Sequence, residues 1–327
     1  MKRWLKHVLG AVAGAGAVGA YMEAMTRRNR VLGLNRPGVR DSHGALLPEL
    51  SLEYTDGERV TLMDVGSGPA ILMLPGADGM KETFRYQYPA FSNKLRVVSA
   101  DLRSHFTPDD TFDRFAQDVF EIIDSRETGP VILLGQSLGS AIAINFAALF
   151  PELVRGLILC NPLANISYEH VGLNRTLMAP MAMATTRYLP TAVSRQLARL
   201  WGEAEIWIYD DSPGLANVVD YALWTGPRTV SPRVSTKRVD LLKRVDLRPL
   251  LPSIEAPTLV VKGPRDHYLP PEWAMEIAAL IPNTRYDIVP GTGHCSHISM
   301  PGSFNRLVID WIEHALAQEP ATAAEAD

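Results

Sequence analysis

A serine, an aspartate and a histidine follow three different apolar segments of this chain, in that order. Ser137 is the central residue of the pentapeptide 135–139 (GQSLG), Asp266 follows the apolar segment 258–262, and His294 directly follows a Gly-Thr-Gly sequence. A serine hydroxyl becomes a nucleophile when a histidine accepts its proton and a carboxylate orients the histidine. These residue types therefore indicate nucleophilic attack by Ser137, with a histidine and a carboxylate available to assist it.

Each of these residues also has a simpler interpretation. Taken singly, Ser137 fits a helix cap, Asp266 fits a turn or a helix cap, and His294 fits a loop residue with a local hydrogen bond. What distinguishes the set is its order, with Ser, Asp and His at the ends of successive strands of one predicted sheet. The combination favours catalysis over three unrelated polar residues.

The elements around Ser137 must place its hydroxyl at the sheet edge. The apolar residues 131–134 predict a buried strand, and residues 140–149 predict a helix. A serine at such a tight turn adopts a strained conformation, and the flanking glycines leave room for strand and helix to approach closely. The hydroxyl then lies beside a helix N-terminus, whose N–H groups can meet a developing negative charge.

Short apolar segments alternate with segments of helical periodicity over most of the chain. Strands are predicted at 59–65, 70–74, 96–100, 131–134, 157–160, 258–261 and 285–289, and helices at 112–123, 140–149, 271–280 and 302–317. This alternation predicts an α/β fold, with a mostly parallel sheet covered by helices on both faces. Functional groups in such sheets gather at the carboxyl ends of the strands.

The domain organisation follows from where the alternation stops. Residues 163–251 are mainly helical in character and rich in Trp, Tyr and Met, so we predict a helical cap there. The predicted core comprises residues 50–162 and 252–317. A Pro/Gly-rich linker is predicted at 31–49, and a disordered Ala/Glu-rich tail at 318–327.

Residues 1–30 differ from the rest of the chain. Basic residues flank an uncharged run from residue 8 to residue 22, which as a helix would span about 22 Å, less than the roughly 30 Å hydrocarbon core of a bilayer. We interpret the segment as a signal peptide or a membrane anchor. The expected location is therefore the membrane or the cell envelope, with secretion or a cytoplasmic location as alternatives.

Composition narrows the classes of partner. The chain has 327 residues, 46% of them hydrophobic and 21% charged, with a formal net charge of −4, which is ordinary for a globular protein and gives no indication of a nucleic-acid partner. Its two cysteines, Cys160 and Cys295, form neither a disulfide framework nor a zinc site. No metal-ligand spacing and no phosphate-binding glycine loop is present, so we predict no metal and no cofactor. The oligomeric state stays open.

The chain resembles the α/β-hydrolase superfamily over about residues 50–317. The pentapeptide 135–139 matches the family's nucleophile elbow, and residues 74–77 (LPGA) match its oxyanion turn. The acid and histidine loops of the family match Gly263, Asp266, Pro270 and residues 291–294. The resemblance implies an eight-stranded, mostly parallel sheet with a helical cap.

The resemblance also implies roles for individual residues. His294 would take the proton from Ser137, and Asp266 would hold the imidazole in the right tautomer. The backbone N–H groups of Ala77 and Leu138 would bind the oxyanion.

Three other polar residues lie near these positions. His297 stands where the family often has a second histidine, and the glycine-flanked histidine is favoured over it as the base. His267 is interpreted as a surface or rim residue. Asn161 ends a predicted strand where some relatives place their acid, and an asparagine there closes that alternative.

The function implied by the resemblance is a serine hydrolase that cleaves an ester or thioester of an apolar small molecule through an acyl-enzyme. The apolar cap motivates the apolar substrate, although its Met and Trp residues equally fit the cap's own core. C–C bond hydrolysis, perhydrolysis of the cofactor-free haloperoxidase type and acyl transfer are alternatives, because fold and triad do not separate them. A non-catalytic hydrolase-like binding protein is a further alternative, against which the intact Ser-His-Asp set argues.

Overall fold

The computed structural model describes residues 38–166, 213–214, 216–218, 221, 232–266 and 268–317. The segment 1–30, most of the predicted cap and the tail 318–327 lie outside these residues, so the predicted domain boundaries stay predictions. Within the described ranges, no helix is both long and apolar enough to cross a membrane. The predicted membrane or envelope location rests on residues 1–30 and likewise stays a prediction.

One eight-stranded sheet forms the centre of the described chain. Its strands are β1 (Leu50–Glu53), β2 (Arg59–Gly66), β3 (Ala70–Leu74), β4 (Arg96–Ala100), β5 (Val131–Gln136), β6 (Val154–Cys160), β7 (Thr258–Lys262) and β8 (Thr284–Ile288). Their spatial order is β1-β2-β4-β3-β5-β6-β7-β8. The pairs β1/β2 and β2/β4 are antiparallel, and all other pairs in this sheet are parallel. The carboxyl ends of β3 to β8 therefore meet at one edge.

Seven of the eight strands were predicted from apolar segments, and β1 was not. This strand has only four residues, alternates between half-buried and exposed positions, and pairs with β2 alone. Its apolar and polar residues alternate over only four positions, a signal much shorter and weaker than the continuous apolar runs of the buried strands.

Helices cover both faces of the sheet. They are α1 (Tyr88–Phe91), α2 (Asp113–Ser125), α3 (Leu138–Leu149), α4 (Pro232–Leu242), α5 (Pro271–Leu280), α6 (Ser296–Ser299) and α7 (Pro301–Ala317), with short 3-10 helices at Lys81–Phe84, Pro151–Leu153 and Arg248–Ser253. The predicted helices correspond to α2, α3, α5 and α7, and α4 belongs to the predicted cap.

The two faces of β3 show how the core is divided. Leu72 and Leu74 pack in a cluster with α2, α3 and α5, whereas Ile71 and Met73 pack in a second cluster with α1 and α7. Successive side chains of a strand point to opposite faces. Because both faces are covered, β3 is buried along its whole length, which explains why the parallel strands have continuous apolar sequences.

We expect Leu133→Ala to lower the free energy of unfolding by about 2–5 kcal/mol, because it leaves a cavity in the core. Leu133 lies in β5 and is fully buried. The matched control is Leu149→Ala at the end of α3, where the leucine is 49% exposed, so its unfolding free energy should change by no more than about 0.5 kcal/mol. Urea denaturation measures both, and equal losses would contradict the burial of Leu133.

Candidate active site

Ser137 occupies the turn between β5 and α3 in a strained conformation. Its φ is 53° and its ψ is −119°, a left-handed region that non-glycine residues rarely adopt without a functional reason. The Ser137 N–H donates to the Cys160 carbonyl (3.0 Å), and the Ser140 N–H donates to the Ser137 carbonyl (2.8 Å). These bonds hold the turn at the carboxyl edge of the sheet.

The flanking glycines are required by the close approach of α3 to the strands. A Cβ on Gly139 would overlap the Leu74 carbonyl oxygen, and a Cβ on Gly135 would overlap the Gly139 carbonyl oxygen. The predicted reason for both glycines is therefore observed in the structure.

Asp266 lies in the loop that follows β7, with its side chain completely buried. Its Oδ1 accepts hydrogen bonds from the Tyr268 N–H (2.9 Å) and the Leu269 N–H (3.1 Å). Its Oδ2 faces Lys262 Nζ at 2.5 Å and His294 Nδ1 at 2.9 Å. The carboxylate is thus fixed by four donors, two of them backbone amides of its own loop.

His294 joins the acid loop to the serine. Its Nδ1 lies 2.9 Å from Asp266 Oδ2, and its Nε2 lies 3.0 Å from Ser137 Oγ. Since Asp266 accepts a hydrogen bond from Nδ1–H, the neutral ring has Nε2 free to accept the serine proton. Only 18% of the His294 side chain is exposed. The structure therefore brings the three residues selected from the sequence into one hydrogen-bonded chain.

Burial and the neighbouring hydrogen-bond donors together determine the protonation state of Asp266. Burial by itself would raise the pKa of Asp266, but His294 and Lys262 together hold that pKa well below its ordinary value. The ionised carboxylate therefore stabilises the fold above the ordinary pKa of an aspartate. That contribution is lost as the pH falls toward the lowered pKa.

The predicted oxyanion donors lie next to the serine. Leu138 is the first residue of α3, so its N–H has no acceptor within the helix. Ala77 lies in a turn that is closed by a 2.9 Å hydrogen bond from the Gly79 N–H to the Gly76 carbonyl. A Cβ added to Gly76 would lie 3.5 Å from the Ser137 Cβ. The assignment of the two amides as oxyanion donors stays a prediction.

Arg238, in cap helix α4, fixes the loops that follow β3 and β4. Its Nη1 donates to the carbonyls of Ala77 (3.1 Å) and Asp78 (2.9 Å), and its Nη2 donates to those of Leu102 (2.7 Å) and Arg103 (2.8 Å). The arginine is almost entirely buried. Unsatisfied buried carbonyls destabilise a fold. The Arg238 side chain therefore holds α4 against the turn that contains Ala77 and Asp78.

A second cap residue reaches the same turn. The Tyr221 hydroxyl donates to Asp78 Oδ2 at 2.5 Å, and the Arg85 guanidinium lies over the Tyr221 ring, 5.7 Å from its centroid. Burial raises the pKa of Asp78 and raises the pKa of Tyr221 well above its usual range.

Asn161, which follows β6, connects the acid loop to the histidine loop. It adopts a positive φ of 47°. Its Nδ2 donates to the His294 carbonyl (2.8 Å), and its Oδ1 accepts from the Gly263 N–H (2.8 Å). Asn161 therefore serves as a clamp, a role that the sequence analysis did not assign to it.

His297, the second histidine considered from the sequence, does not join the site. His297 is buried on α6, where its Nε2 contacts Thr83 Oγ1 at 3.0 Å, and burial lowers its pKa to about 3. His267 lies outside the described residues. The sequence analysis did not assign a role to Lys262 or Arg238, or the clamp role to Asn161. The partners of these side chains depend on how the loops pack together, and no sequence pattern indicates that.

No group of three or more His, Cys, Asp or Glu side chains in the described part of the chain is arranged to hold a metal ion. The absence of a metal and of a cofactor stays a prediction.

The sheet order, the strained serine turn and the Ser–His–Asp chain define an α/β enzyme of the hydrolase type. Residues 71–307 match the family model described as "Alpha/beta hydrolase family". The chain belongs to the alpha/beta hydrolase family, and this membership places the protein among the hydrolases.

The chain is also similar to individual proteins. The 2-hydroxy-6-oxo-6-phenylhexa-2,4-dienoate hydrolase of Burkholderia cepacia is 26% identical, over 78% of this chain and 91% of its own length. Polyketide synthase ThaQ of Burkholderia thailandensis is 29% identical over 96% of this chain, which spans 15% of that protein. The structure of a thermophilic esterase from Thermogutta terrifontis superposes with a TM-score of 0.67 and 22% identity, over 82% of this chain and 99% of the esterase. This last likeness supports the fold alone.

We expect Gly139→Ala to displace the serine turn, because the added methyl group would overlap the Leu74 carbonyl. Reaction of Ser137 with a fluorophosphonate should slow by at least about tenfold, and stability should fall by about 1–3 kcal/mol. The control is Gly302→Ala in α7, whose added Cβ meets nothing closer than 3.8 Å. Reaction rates and thermal unfolding of both variants test this, and an unimpaired Gly139→Ala variant would contradict the close approach.

Proposed function

We propose that this protein is a serine hydrolase that cleaves an ester or thioester of an apolar small molecule through a Ser137–His294–Asp266 triad and an acyl-enzyme. The observation that carries the proposal is the hydrogen-bonded chain from Asp266 Oδ2 through the imidazole to Ser137 Oγ, with distances of 2.9 and 3.0 Å. Both distances lie within the range required for proton transfer between positioned groups.

The chemistry follows from the assigned tautomer. His294 Nε2 accepts the proton as Ser137 Oγ attacks the acyl carbonyl, and the carbonyl electron pair moves onto its oxygen. His294 then gives that proton to the departing alcohol or thiol while the carbon–heteroatom bond breaks. Water, deprotonated by the same Nε2, attacks the acyl-enzyme. Nε2 then returns this proton to Ser137 Oγ as the acyl–oxygen bond breaks, which releases the acid and the free serine.

Two parts of the site support the charged species that form on this path. The Ala77 and Leu138 N–H groups are the proposed donors to the oxyanion, and one such donor contributes about 10²–10³ to kcat. Asp266 is held ionised by its surroundings, so it stabilises the imidazolium that forms during attack.

The apolar character of the substrate rests on the cap and on the rim of the site. The predicted cap, residues 163–251, is rich in Trp, Tyr and Met. The ring of Tyr268 lies 5.2 Å from the His294 ring, centroid to centroid, and Tyr268 is 38% exposed. An apolar acyl or alcohol group entering beside His294 would pack against this ring.

A fluorophosphonate probe should label the wild-type protein once, because it reacts with an activated serine. Ser137→Ala should abolish labelling, and His294→Gln should slow it by about 10³ or more, since the serine loses its base. Ser125→Ala provides a matched control, because this exposed serine lies at the end of α2. Mass spectrometry locates the adduct. An unlabelled wild type, or unchanged labelling of Ser137→Ala, would refute the proposal.

A second candidate is hydrolysis of a C–C bond. It is favoured by one observation, the 26% identity with the Burkholderia cepacia hydrolase named for 2-hydroxy-6-oxo-6-phenylhexa-2,4-dienoate. The same triad could serve that reaction, since the fold alone does not select the bond that is cleaved.

A substrate panel separates the two candidates. We expect kcat/KM for p-nitrophenyl esters and acyl thioesters to rise by about fourfold per added methylene over short chains, because each buried methylene contributes about 0.8 kcal/mol. Activity toward the dienoate should be lower. Faster turnover of the dienoate would replace the ester proposal with the second candidate. Halogenation or peracid formation in a parallel arm with peroxide would indicate perhydrolysis instead.

A further inference from the structure

Lys262, the last residue of β7, is a buried lysine placed directly behind the triad acid. Neither its side chain nor that of Asp266 is exposed to solvent. Its Nζ donates to Asp266 Oδ2 (2.5 Å) and to the Leu269 carbonyl (2.7 Å). A buried ammonium group is costly unless it is paired and hydrogen-bonded. Its place beside Asp266 therefore needs an explanation in terms of what it does there.

The lysine and the histidine share a single carboxylate oxygen. Asp266 Oδ2 accepts from Lys262 Nζ and from His294 Nδ1, while Oδ1 is occupied by two backbone amides of the loop. By bridging Oδ2 to the Leu269 carbonyl, the ammonium group also closes the acid loop. The direction in which Asp266 faces His294 thus depends on Lys262.

Among the described residues, two other titratable groups packed near this pair are neutral at ordinary pH. Burial raises the pKa of the Cys160 thiol at the end of β6 to about 12, and burial lowers the pKa of His297 on α6 to about 3. Arg265 of the acid loop is charged but exposed to solvent, which screens its charge. The buried charge beside His294 is therefore that of the Lys262–Asp266 pair.

The Lys262–Asp266 pair has no net charge, and this affects the energy of placing a positive charge on His294. Protonation of the imidazole beside an unshared carboxylate would cancel a buried negative charge. Protonation beside the Lys262–Asp266 pair instead leaves one uncompensated positive charge near a second cation. Like charges in a buried site disfavour the protonated form of a base.

We propose that Lys262 is a positioning residue of the triad, which orients the ionised Asp266 carboxylate and keeps His294 available as a neutral base in acidic solution. The proposal rests on the triad function proposed above. It predicts that the protein works at a lower pH than the same triad would without this lysine.

The first test is the pH profile of kcat/KM in Lys262→Gln and Lys262→Met. Both variants remove the charge, so the midpoint of the acid limb should move up by about one pH unit. Lys262→Gln keeps a donor, so its plateau kcat should stay within about threefold of wild type, whereas Lys262→Met should lose about tenfold. An acid limb that stays in place in both folded variants, as judged by thermal unfolding, would overturn the proposal.

The matched control is Lys81→Gln. Lys81 is the other lysine with a completely buried side chain in the described residues, and it pairs with Glu49, Glu82 and Asp101 rather than with the triad. Its substitution should lower stability and leave the acid limb in place. A shift of equal size in Lys81→Gln would show that loss of any buried cation has this effect, and would overturn the proposal.

A second measurement is independent of activity. NMR of isotopically labelled histidine, with His294→Gln for assignment, follows the imidazole titration directly. In Lys262→Gln the His294 midpoint should rise by about one pH unit relative to wild type, because a nearby positive charge has been removed. In Lys81→Gln the midpoint should stay in place. An unchanged midpoint in a folded Lys262→Gln variant would overturn the proposal.

The two proposals fail in distinguishable ways. A wild-type protein that fluorophosphonate does not label refutes the triad function, while the NMR titration still decides the electrostatic role of Lys262. A labelled wild type whose His294 midpoint is unchanged in Lys262→Gln refutes the role of the lysine alone.

Discussion

The close approach of α3 to the carboxyl ends of β3 and β5 is the constraint on which the site depends. Glycines at 135 and 139 permit it, because any side chain there would overlap a backbone carbonyl. The approach forces Ser137 into a positive φ, which projects its hydroxyl over the sheet edge and leaves the first amide of α3 beside it. The packing around α3, which is buried from Leu138 to Ala147, maintains this strain.

The rest of the site depends on how the buried negative charge of Asp266 is stabilised. Asp266 is ionised without contact with water, and its charge is balanced by donors from its own loop, from His294 and from Lys262. Such a carboxylate is rigid, because every donor constrains its direction. Asn161 extends this rigidity by joining the acid loop to the backbone of His294. The same hydrogen bonds therefore control both the position and the protonation state of the Asp266 carboxylate.

Two described residues of the predicted cap take part in this arrangement. Arg238 satisfies four carbonyls in the loops after β3 and β4, and Tyr221 binds the carboxylate of Asp78. These residues contact the turn that contains Ala77 and Asp78 through buried polar groups, whose loss would leave carbonyls unsatisfied. Helix α4 and that turn are consequently coupled.

Much of the fold and the proximity of Ser137, Asp266 and His294 could be predicted from sequence, because the signals are local. Apolar strands, glycine-flanked turns and the order of Ser137, Asp266 and His294 define a parallel sheet whose strand ends meet at one edge. The tertiary structure alone decided that Lys262 is buried against the acid and that Arg238 reaches carbonyls more than 130 residues away. Periodicity and turn residues specify where an element begins and which face it buries. They do not specify which charged groups meet across loops, since that depends on how the loops pack together.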